Sequence, residues 1–490
     1  MPISFNEVPN GIRTPFLYAE FDNSNAVRGA GVQPYKALFI GQKTITGTKA
    51  AEVKEIVTSA AQAAEYFGPG SQLERMASKY FEGNKVNELH CIALDDNAAG
   101  VISTGSVTIG GSATVAGIIK LYIAGQKVEI AVATTDTAAE LAEDLTIAIN
   151  NISTVPVAAS VDGVIAEKIN ITAKNKGESD NGIDLRVNYF SGDVLPVGIT
   201  ATVVAMSGGA GNPDIQDAIN VMGEDQYMII VSPYSDAANL TAMEAELSDR
   251  FGPIRQNDGY HIVGHRGTIS ELNTIGNSRN SQFTTIKRCS GPSSPYEHMA
   301  AMAASINLAG QIDPARPFQT LELKGILPEP EVDRLIITER NILLNNGIAT
   351  DYVDAGGLVR IERVITTYKE NPAGADDISY LDLNTLLTLS YLRYDFRNFW
   401  LKKYPRHKLA NDGTQFGQGQ AVMTPKVAKA EAILRFKLWE KLGLVENIDQ
   451  FKEELIVERN AADPNRLDFL LPTDLINQLR VVGVKIGFIL

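Results

Sequence analysis

The chain has 490 residues, of which 44% are hydrophobic and 21% are charged, a balance typical of globular proteins that excludes wholesale disorder. No apolar run approaches the ~18–20 residues of a membrane-spanning helix, and the first residues lack the basic flank and apolar stretch of a secretory signal. Only Cys91 and Cys289 occur, which excludes a disulfide framework and a cysteine-based zinc site. We therefore expect a large soluble protein of about three domains in a reducing compartment.

The formal charge of −14 is unevenly distributed along the chain. Residues 391–441 contain eleven Lys or Arg against four Asp or Glu, so this segment carries +7 and the rest of the chain carries −21. A global acidic surplus argues against non-specific binding to nucleic acid or to an anionic membrane. The basic segment indicates either a specific acidic partner or contact with the protein's own acidic surface.

The first 25 residues are predicted to form an extended N-terminal arm. Phe16, Tyr18 and Phe21 belong to one candidate strand, which turn-forming residues on both sides isolate from any compact domain. An α/β stretch begins at residue 26. Its predicted elements are a buried strand at 37–40, an Ala-rich helix at 50–67, a helix at 73–81 and a strand at 90–94.

Residues 97–206 have a different composition, rich in Thr, Val, Ile, Gly and Ala and poor in charge. Short alternating runs between turn residues predict strands, and residues 137–150 predict one helix. Because α/β segments flank this stretch on both sides, we interpret it as an inserted β-rich domain that resembles a sandwich.

Alternation of helices and strands resumes at residue 207. The apolar run at 227–231 is typical of a strand that is covered on both faces, and Asn212 with Pro213 predicts the start of the helix before it. Residues 26–96 and 207–370 are therefore predicted to form one discontinuous α/β domain with a mostly parallel sheet.

Residues 371–490 are predicted to form a C-terminal α+β domain, with helices at 381–401 and 424–442 and a terminal arm at 476–490. The arm ends in a strongly β-prone run that contains Val482, Val484, Ile486 and Phe488. An exposed strand of this kind invites pairing with another chain, so we expect strand exchange between subunits. The alternative is that the run completes its own domain's sheet.

We find no constellation that predicts catalysis, a cofactor or a metal. His261 and His265 lie about 13 Å apart if they share a strand, too far to bind one ion. The glycine-rich loop at 207–212 follows a strand and precedes a helix, but it lacks the Lys-Ser/Thr of a P-loop, so we interpret it as a domain junction. No GxSxG motif occurs, and the spacing of Asp249, His265 and Ser270 does not mark a triad.

The second C-terminal helix carries a basic stripe. At 100° per residue, a sector of about 120° contains Lys426, Lys429, Lys437 and Lys441. The opposite side, which we expect to be the packing face, contains Val427, Leu434, Leu438, Trp439 and Leu442. The stripe is either a binding surface for an acidic partner or an ordinary solvated face.

Several sequence blocks resemble contractile tail sheath proteins of bacteriophages. They are KYPRHKLANDG at 403–413, QAVMTPK at 420–426 and NRLDFLLPTDLINQLR at 465–480, and SGGAGNPD at 207–214 is similar to the junction of Mu-like sheaths. The resemblance spans the whole chain, is strongest at about 380–490 and is weakest in the β-rich insert.

This resemblance implies a structural subunit. Sheath subunits stack as six-membered rings around an inner tail tube, and contraction drives the tube through the host envelope. In that family terminal arms add strands to a neighbour's sheet, and a C-terminal helix contacts the tube largely through charge, which makes the four lysines of the stripe the candidates for this contact. Candidates for the exchanged strands are Phe16, Tyr18, Phe21, Val482, Val484, Ile486 and Phe488. The resemblance also implies baseplate and tail terminator partners, location in the virion and assembly in the host cytoplasm.

Three other hypotheses stay open on the sequence alone. The same machine occurs in contractile injection and secretion particles, which this sequence does not separate from phage tails. An α/β protein that binds a nucleotide through the loop at 207–212 is a second class. A cell-surface adhesin would explain the Thr- and Val-rich insert, but it fits poorly with the missing secretory signal.

Overall fold

The computed structural model describes residues 33–489, and these residues divide into two compact units. The larger unit contains Pro34–Tyr391, Gly443–Glu446 and residues 474–489, and the smaller contains Leu392–Leu442 and Asn447–Thr473, together with Gln33. The predicted N-terminal strand with Phe16, Tyr18 and Phe21 lies outside the described residues. The chain is a mixed α/β protein with several separate sheets.

The larger unit begins with an α/β segment. Its elements are β1 (Ala37–Gln42), β2 (Lys54–Val57), α1 (Ala60–Phe67), α2 (Gln72–Gly83) and β3 (Leu89–Leu94). The single helix predicted at 50–67 is wrong, because Lys54–Val57 pairs antiparallel with β3 and α1 begins only after Ser59. The β-branched Ile56 and Val57 favour the strand, and the Ser59 side chain caps the helix by accepting the backbone N–H of Gln62.

The segment predicted to be β-rich contains seven strands and one helix. In chain order they are β4 (Ile102–Gly111), β5 (Gly117–Ile123), β6 (Gln126–Val132), α3 (Ala138–Asn151), β7 (Val157–Val161), β8 (Lys168–Lys176), β9 (Leu185–Val187) and β10 (Ile199–Ser207). The strands form a four-stranded sheet in the order β10-β4-β8-β7 and a three-stranded sheet in the order β6-β5-β9. Leu141, Leu145 and Ile149 of α3 are buried in the core that these sheets share. A 3₁₀ turn, Ser179–Gly182, lies between β8 and β9.

Ten further elements complete the α/β part. They are α4 (Ile215–Met222), β11 (Ile229–Ser232), α5 (Ala237–Phe251), β12 (Tyr260–His265), α6 (Ile269–Asn277), β13 (Thr284–Arg288), α7 (Pro295–Ile312), α8 (Ile337–Asn345), β14 (Ile348–Val353) and β15 (Val359–Arg363). The predicted cap at Asn212 is wrong, because α4 starts at Ile215 and the side chain of Asp214 accepts the N–H of Gln216. Asn212 is instead used to bind the inserted segment.

The α/β strands form one eight-stranded sheet in the order β15-β14-β13-β12-β11-β1-β3-β2. The six inner strands, from β14 to β3, are parallel, and the two edge strands are antiparallel to their neighbours. Strands β1 and β3 are buried at every position, and α7 is buried along most of its length. A strand order that reverses beside β1 is the doubly wound arrangement, in which helices cover both faces of the sheet.

The last part of the chain contributes to both units. Its elements are α9 (Leu383–Lys403), β16 (Lys408–Leu409), β17 (Val422–Met423), α10 (Pro425–Lys441), β18 (Val445–Glu446), α11 (Ile448–Glu454), β19 (Ile456–Arg459), β20 (Leu467–Leu470) and β21 (Asp474–Leu475). Strands β18 and β21 pair within the larger unit. In the smaller unit, β19 and β20 form an antiparallel hairpin whose Phe469 packs edge-on against Phe396 of α9.

A buried carboxylate joins the two long helices within the smaller unit. Asp395 of α9 is fully buried and accepts hydrogen bonds from the guanidinium of Arg435 and, at 2.6 Å, from the indole Nε1–H of Trp439. Removal of one partner of a buried ion pair leaves an uncompensated charge in a low-dielectric environment. This contact therefore fixes how α9 and α10 pack inside the unit.

We predict that Asp395→Ala lowers the free energy of unfolding by about 3–5 kcal/mol, because Arg435 and Trp439 both lose their acceptor. Urea denaturation followed by circular dichroism measures this loss. Glu453→Ala, which removes an exposed carboxylate from the same unit, is the control and should change the free energy by less than about 0.5 kcal/mol. Equal effects of the two substitutions would contradict the structural role of Asp395.

Candidate assembly surfaces

The C-terminal segment is attached at Arg480 and exposed beyond it. Within the larger unit the guanidinium of Arg480 donates to Asp382 Oδ1 (3.0 Å) and to Asn384 Oδ1 (3.3 Å), and burial lowers the pKa of this arginine. Residues 481–489 have no strand assignment and all of them are exposed. The predicted strand residues Val482, Val484, Ile486 and Phe488 are between 69% and 85% exposed. The alternative that this run completes its own domain's sheet is therefore wrong for residues 481–489.

The β19–β20 hairpin has an apolar cross-strand pair that is about half exposed. Ile456 and Leu470 face each other across the ladder and are 51% and 58% exposed. A two-stranded hairpin is marginal in water by itself, and in this one the unpaired edges of both strands can accept a further strand. The hairpin thus combines open edges with one exposed apolar pair, which shares its face with Glu458 and Asp468.

The packing face of α10 agrees with the predicted face at Trp439 but differs from it at three other positions. The buried residues are Ala428, Ala432, Phe436 and Trp439, whereas Val427, Leu434 and Leu442 are 43%, 59% and 45% exposed. The prediction that these three residues pack inside is wrong. Small alanines let α10 lie close to its neighbours, and Phe436 stacks on Phe451 of α11 with ring centroids 4.0 Å apart.

Three of the four predicted lysines share the outward face of α10. Lys426, Lys437 and Lys441 are exposed and fall within a sector of about 60°, with Leu434 beside them. Lys429 is different, because its Nζ donates to the carbonyl oxygen of Leu455 at 2.7 Å, at the end of α11. The exposed face is therefore a mixed surface of three ammonium groups and an apolar strip.

The glycine-rich loop at 207–212 is closed by side chains of the inserted segment. Asn181 Oδ1 accepts the N–H of Gly209 (2.8 Å) while Asn181 Nδ2 donates to the carbonyl of the same residue (2.9 Å). Asn212 Oδ1 accepts the backbone N–H groups of Glu178 and Ser179. A crevice of about 380 Å³ lies beside the loop, but the N–H of Gly209, which a phosphate would need, is already bonded. This geometry disfavours the nucleotide-binding hypothesis.

The other chemical candidates are ordinary structural groups. His261 Nε2 lies 2.8 Å from Ser232 Oγ, and His265 Nδ1 lies 2.9 Å from Ser235 Oγ rather than against Ser270. Burial lowers the pKa of His261 to about 3. Residues 33–489 contain no group of three or more His, Cys, Asp or Glu that could hold a metal ion. No helix in this part of the chain is long and apolar enough to cross a membrane.

Comparison with known proteins identifies the family. Residues 208–367 match the model of the phage tail sheath protein central domain, and residues 375–489 match that of the phage tail sheath C-terminal domain. Over its whole length the chain is 41% identical to the Mu-like prophage FluMu tail sheath protein of Haemophilus influenzae, with all of both chains aligned. The chain belongs to the phage tail sheath family.

The fold agrees with that of a solved sheath protein. The crystal structure of a sheath tail protein from Listeria innocua matches with a TM-score of 0.50 and 12% sequence identity, over 92% of this chain and 94% of that one. The resemblance to Mu-like sheaths drawn from the sequence is confirmed. The chain is accordingly a structural subunit of a contractile tail sheath and a component of the virion tail, not an enzyme.

Two features of the sheath subunit carry no signal in the sequence. The attachment of Arg480 to Asp382 joins residues 98 positions apart, and no local pattern marks the pair. Lys429 has the same helical phase as a solvated lysine, and only the position of α11 brings the Leu455 carbonyl within its reach. Helical periodicity therefore identified the exposed lysines correctly but could not separate Lys429 from them.

We predict that Lys429→Ala destabilises the sheath subunit by about 1–2 kcal/mol, because the Leu455 carbonyl loses a charged donor. Lys437→Ala on the same helix is the matched control and should stay within about 0.5 kcal/mol of the parent chain. Urea denaturation of the two variants side by side measures the difference. A stability loss at Lys437 as large as that at Lys429 would show that both lysines are structural.

Proposed function

We propose that the sheath subunit polymerises as stacked six-membered rings around a tail tube and that the polymer contracts to drive this tube through the host envelope. Membership of the phage tail sheath family supports the overall role. The single observation that carries the assembly mechanism is the exposed segment 481–489, which follows directly after the anchor at Arg480.

The first step of the proposal is strand exchange between subunits. Residues 481–489 reach about 30 Å when extended, at roughly 3.3 Å per residue. We propose that this segment pairs with an open edge of the β19–β20 hairpin in another copy. Val482, Val484, Ile486 and Phe488 then lie on one face of the added strand and cover apolar surface such as Ile456 and Leu470. The N-terminal arm, with Phe16, Tyr18 and Phe21, is proposed to add a second strand.

Strand exchange of this type keeps two subunits connected during large movements. The backbone hydrogen bonds of an added strand hold it in the neighbour's sheet, while the chain between the anchor and the strand can change direction. The guanidinium of Arg480 is bonded to four side chains of its own subunit, since it also donates to Gln319 Oε1 (3.4 Å) and to Gln478 Oε1. Subunits joined in this way can rotate and slide without separating.

The second step is contact with the tube through the outward face of α10. We propose Lys426, Lys437 and Lys441 as the tube-contact residues, with Leu434 beside them, and assign Lys429 to the subunit's own fold. The local surplus of seven positive charges supports an acidic partner surface. Exposed ion pairs are worth only about 0–1 kcal/mol each and are screened by salt, so a set of them can hold the tube and still release it during contraction.

The proposal also covers the partners of the sheath, its place of assembly, the type of particle and the domain boundaries. We propose that the assembled sheath meets a baseplate at one end and a tail terminator at the other, that assembly takes place in the host cytoplasm, and that neither nucleic acid nor membrane is bound. The 41% identity to a Mu-like prophage tail sheath favours a phage tail over a contractile injection or secretion particle. The domain boundaries at residues 25, 96, 206 and 370 are part of this proposal.

We predict that removal of residues 481–490 leaves a folded subunit that cannot polymerise, because residues 481–489 make no strand within their own chain. The double substitution Val484→Asp and Ile486→Asp should have the same effect, whereas Lys485→Ala, which lies between them on the opposite strand face, should assemble normally. Negative-stain electron microscopy detects the polymers, and circular dichroism checks the fold.

The acceptor is tested with the same assay. Leu470→Asp should stop polymerisation as the arm variants do, because the charge lies beside the site of the added strand. Filaments of normal length from the truncated chain would disprove strand exchange by this arm. Normal filaments from Leu470→Asp alone would leave the arm intact and exclude the β19–β20 hairpin as its acceptor.

We predict that reversal of Lys426, Lys437 and Lys441 to Glu weakens binding to the tube protein by about tenfold or more, because three attractive charges become repulsive. The control reverses three exposed lysines of the larger unit, Lys85, Lys127 and Lys324, which gives the same change in net charge. Co-purification with the tube protein over a range of salt concentrations measures both. If binding to the tube protein is independent of salt and is unchanged in the α10 variant, these lysines belong to an ordinary solvated face.

A further inference from the structure

The carboxyl ends of the central parallel strands meet the inserted segment in a buried polar cluster. Gln42 ends β1, Asp96 follows β3, and Gln72 opens α2, while Asn175 and Asp180 come from the inserted segment. Gln42, Gln72, Asn175 and Asp180 are all at most 2% exposed. Polar groups that are buried to this degree must find their partners within the protein, so the bonds of the cluster decide how tightly the insert is seated.

Hydrogen bonds connect these five residues in the order Asp180–Gln72–Gln42–Asp96–Asn175, and we call the arrangement the ring because both of its ends belong to the insert. Gln42 Nε2 donates to Asp96 Oδ1 (2.7 Å), and the Gln42 backbone N–H donates to Gln72 Oε1 (3.2 Å). Gln72 Nε2 donates to Asp180 Oδ1 (3.1 Å). Asn175 Nδ2 donates to Asp96 Oδ1 (3.0 Å). Three ring members belong to the core and two to the insert.

The ring contains two carboxyl groups and no cation. The charged or titratable groups that face Asp180 are Asp96, Arg75 from α2, Tyr234 after β11 and Tyr296 from α7. Arg75 is already balanced, since its guanidinium donates to the buried carboxylate of Glu297 at 2.8 Å. Asp180 is 1% exposed, whereas Asp96 is only partly buried. A nearby like charge disfavours the ionised form of a buried carboxyl, and the usual resolution is that the buried group retains its proton.

One acceptor of the cluster lacks a donor. Gln42 Oε1 is buried and has no hydrogen-bond partner among the described residues. A protonated carboxyl supplies one additional O–H donor to this environment. Burial and the nearby Asp96 raise the pKa of Asp180 to about 7, which agrees with the geometry.

We propose that a proton held on Asp180 stabilises the packing of the inserted segment on the α/β core and that loss of this proton weakens this packing. The ionised form places a second uncompensated charge in the ring and removes the donor. Other contacts, such as Asn181 with Gly209 and Arg75 with the carbonyls of Ala124 and Thr154, continue to hold the insert in that state.

The sign of the pH dependence follows from linkage. A carboxyl whose pKa is higher in the folded chain than in the unfolded chain contributes most at low pH, and this contribution is lost as the pH rises from about 4 to about 7. Above that range the contribution no longer changes. The midpoint temperature of thermal unfolding of the full-length chain should therefore decrease as the pH rises from 5 to 7.5.

The decisive variant is Asp180→Asn, which keeps the shape of the protonated carboxyl and cannot ionise. We expect its midpoint to depend much less on pH than that of the parent chain and to exceed the parent's midpoint at pH 8. Asp95→Asn, a substitution of the exposed neighbour of Asp96, is the control and should reproduce the parent profile. An Asp180→Asn profile that parallels the parent over the whole range would overturn the proposal.

Two further measurements keep the test informative if Asp180→Asn folds poorly. Asp96→Asn removes the like charge, so the decrease in the thermal midpoint should occur at lower pH but should not disappear. A pH profile that does not shift would contradict the proposed effect of Asp96 on the Asp180 proton. Infrared difference spectra between pH 5 and pH 8 should contain the carbonyl band of a protonated carboxylic acid at the acidic end. Its absence from the parent chain would show that Asp180 is ionised throughout.

Discussion

The strand order reverses beside β1, and the carboxyl ends of β1, β3 and β11 consequently open on one crevice. In doubly wound sheets this crevice is the usual place for a ligand. Here the inserted segment occupies the position instead: Asp180 bonds to Gln72 beside the strand ends, and Asn212 and Asn181 close the glycine-rich loop. An arrangement of strands that often binds small molecules here supports the inserted segment.

Three buried ion pairs stabilise the individual compact units. The ion pairs Arg75–Glu297, Lys287–Asp351 and Arg435–Asp395 are all largely buried, and each lies inside one compact unit. Arg75 additionally donates to the carbonyls of Ala124 and Thr154, so one guanidinium joins α2, α7 and the insert. Pairs of this kind are costly to break, because each removal leaves a charge without compensation. They preserve the shape of a subunit whose neighbours move around it.

Much of the fold could be predicted from the sequence, because local pattern and tertiary role agree over most of the chain. Buried runs such as Ala37–Gln42 and Ile229–Ser232 are apolar at nearly every position, as strands covered on both faces must be. The prediction failed at 50–67, where alanines favour a helix but pairing with β3 extends Lys54–Val57. Tertiary contact decided the structure there, and no periodicity in the sequence records it.

The surfaces were predictable only in outline. The β-prone run predicted an exposed strand that pairs with another chain, because apolar residues alternate along it at Val482, Val484, Ile486 and Phe488. The position at which this run leaves the subunit depends on the contact of Arg480 with Asp382, which is far away in sequence. On α10 the phase of the lysines was right, and the predicted packing face was right at Trp439 but wrong at Val427, Leu434 and Leu442. Leucines and valines were assigned to the interior because they are apolar, whereas the alanines and two aromatic rings make the tighter contact.

That error itself bears on the mechanism. A helix with Val427, Leu434 and Leu442 exposed beside three lysines has more apolar surface than a solvated face needs. Apolar contact adds affinity that salt does not screen, whereas the ammonium groups add long-range attraction and orientation. A partner held by both terms stays bound at the ionic strength of the cell, yet loses contact as a unit when the subunit rotates, because the short-range apolar term vanishes with separation. The combination therefore suits a sheath that must grip its tube before contraction and release it during contraction.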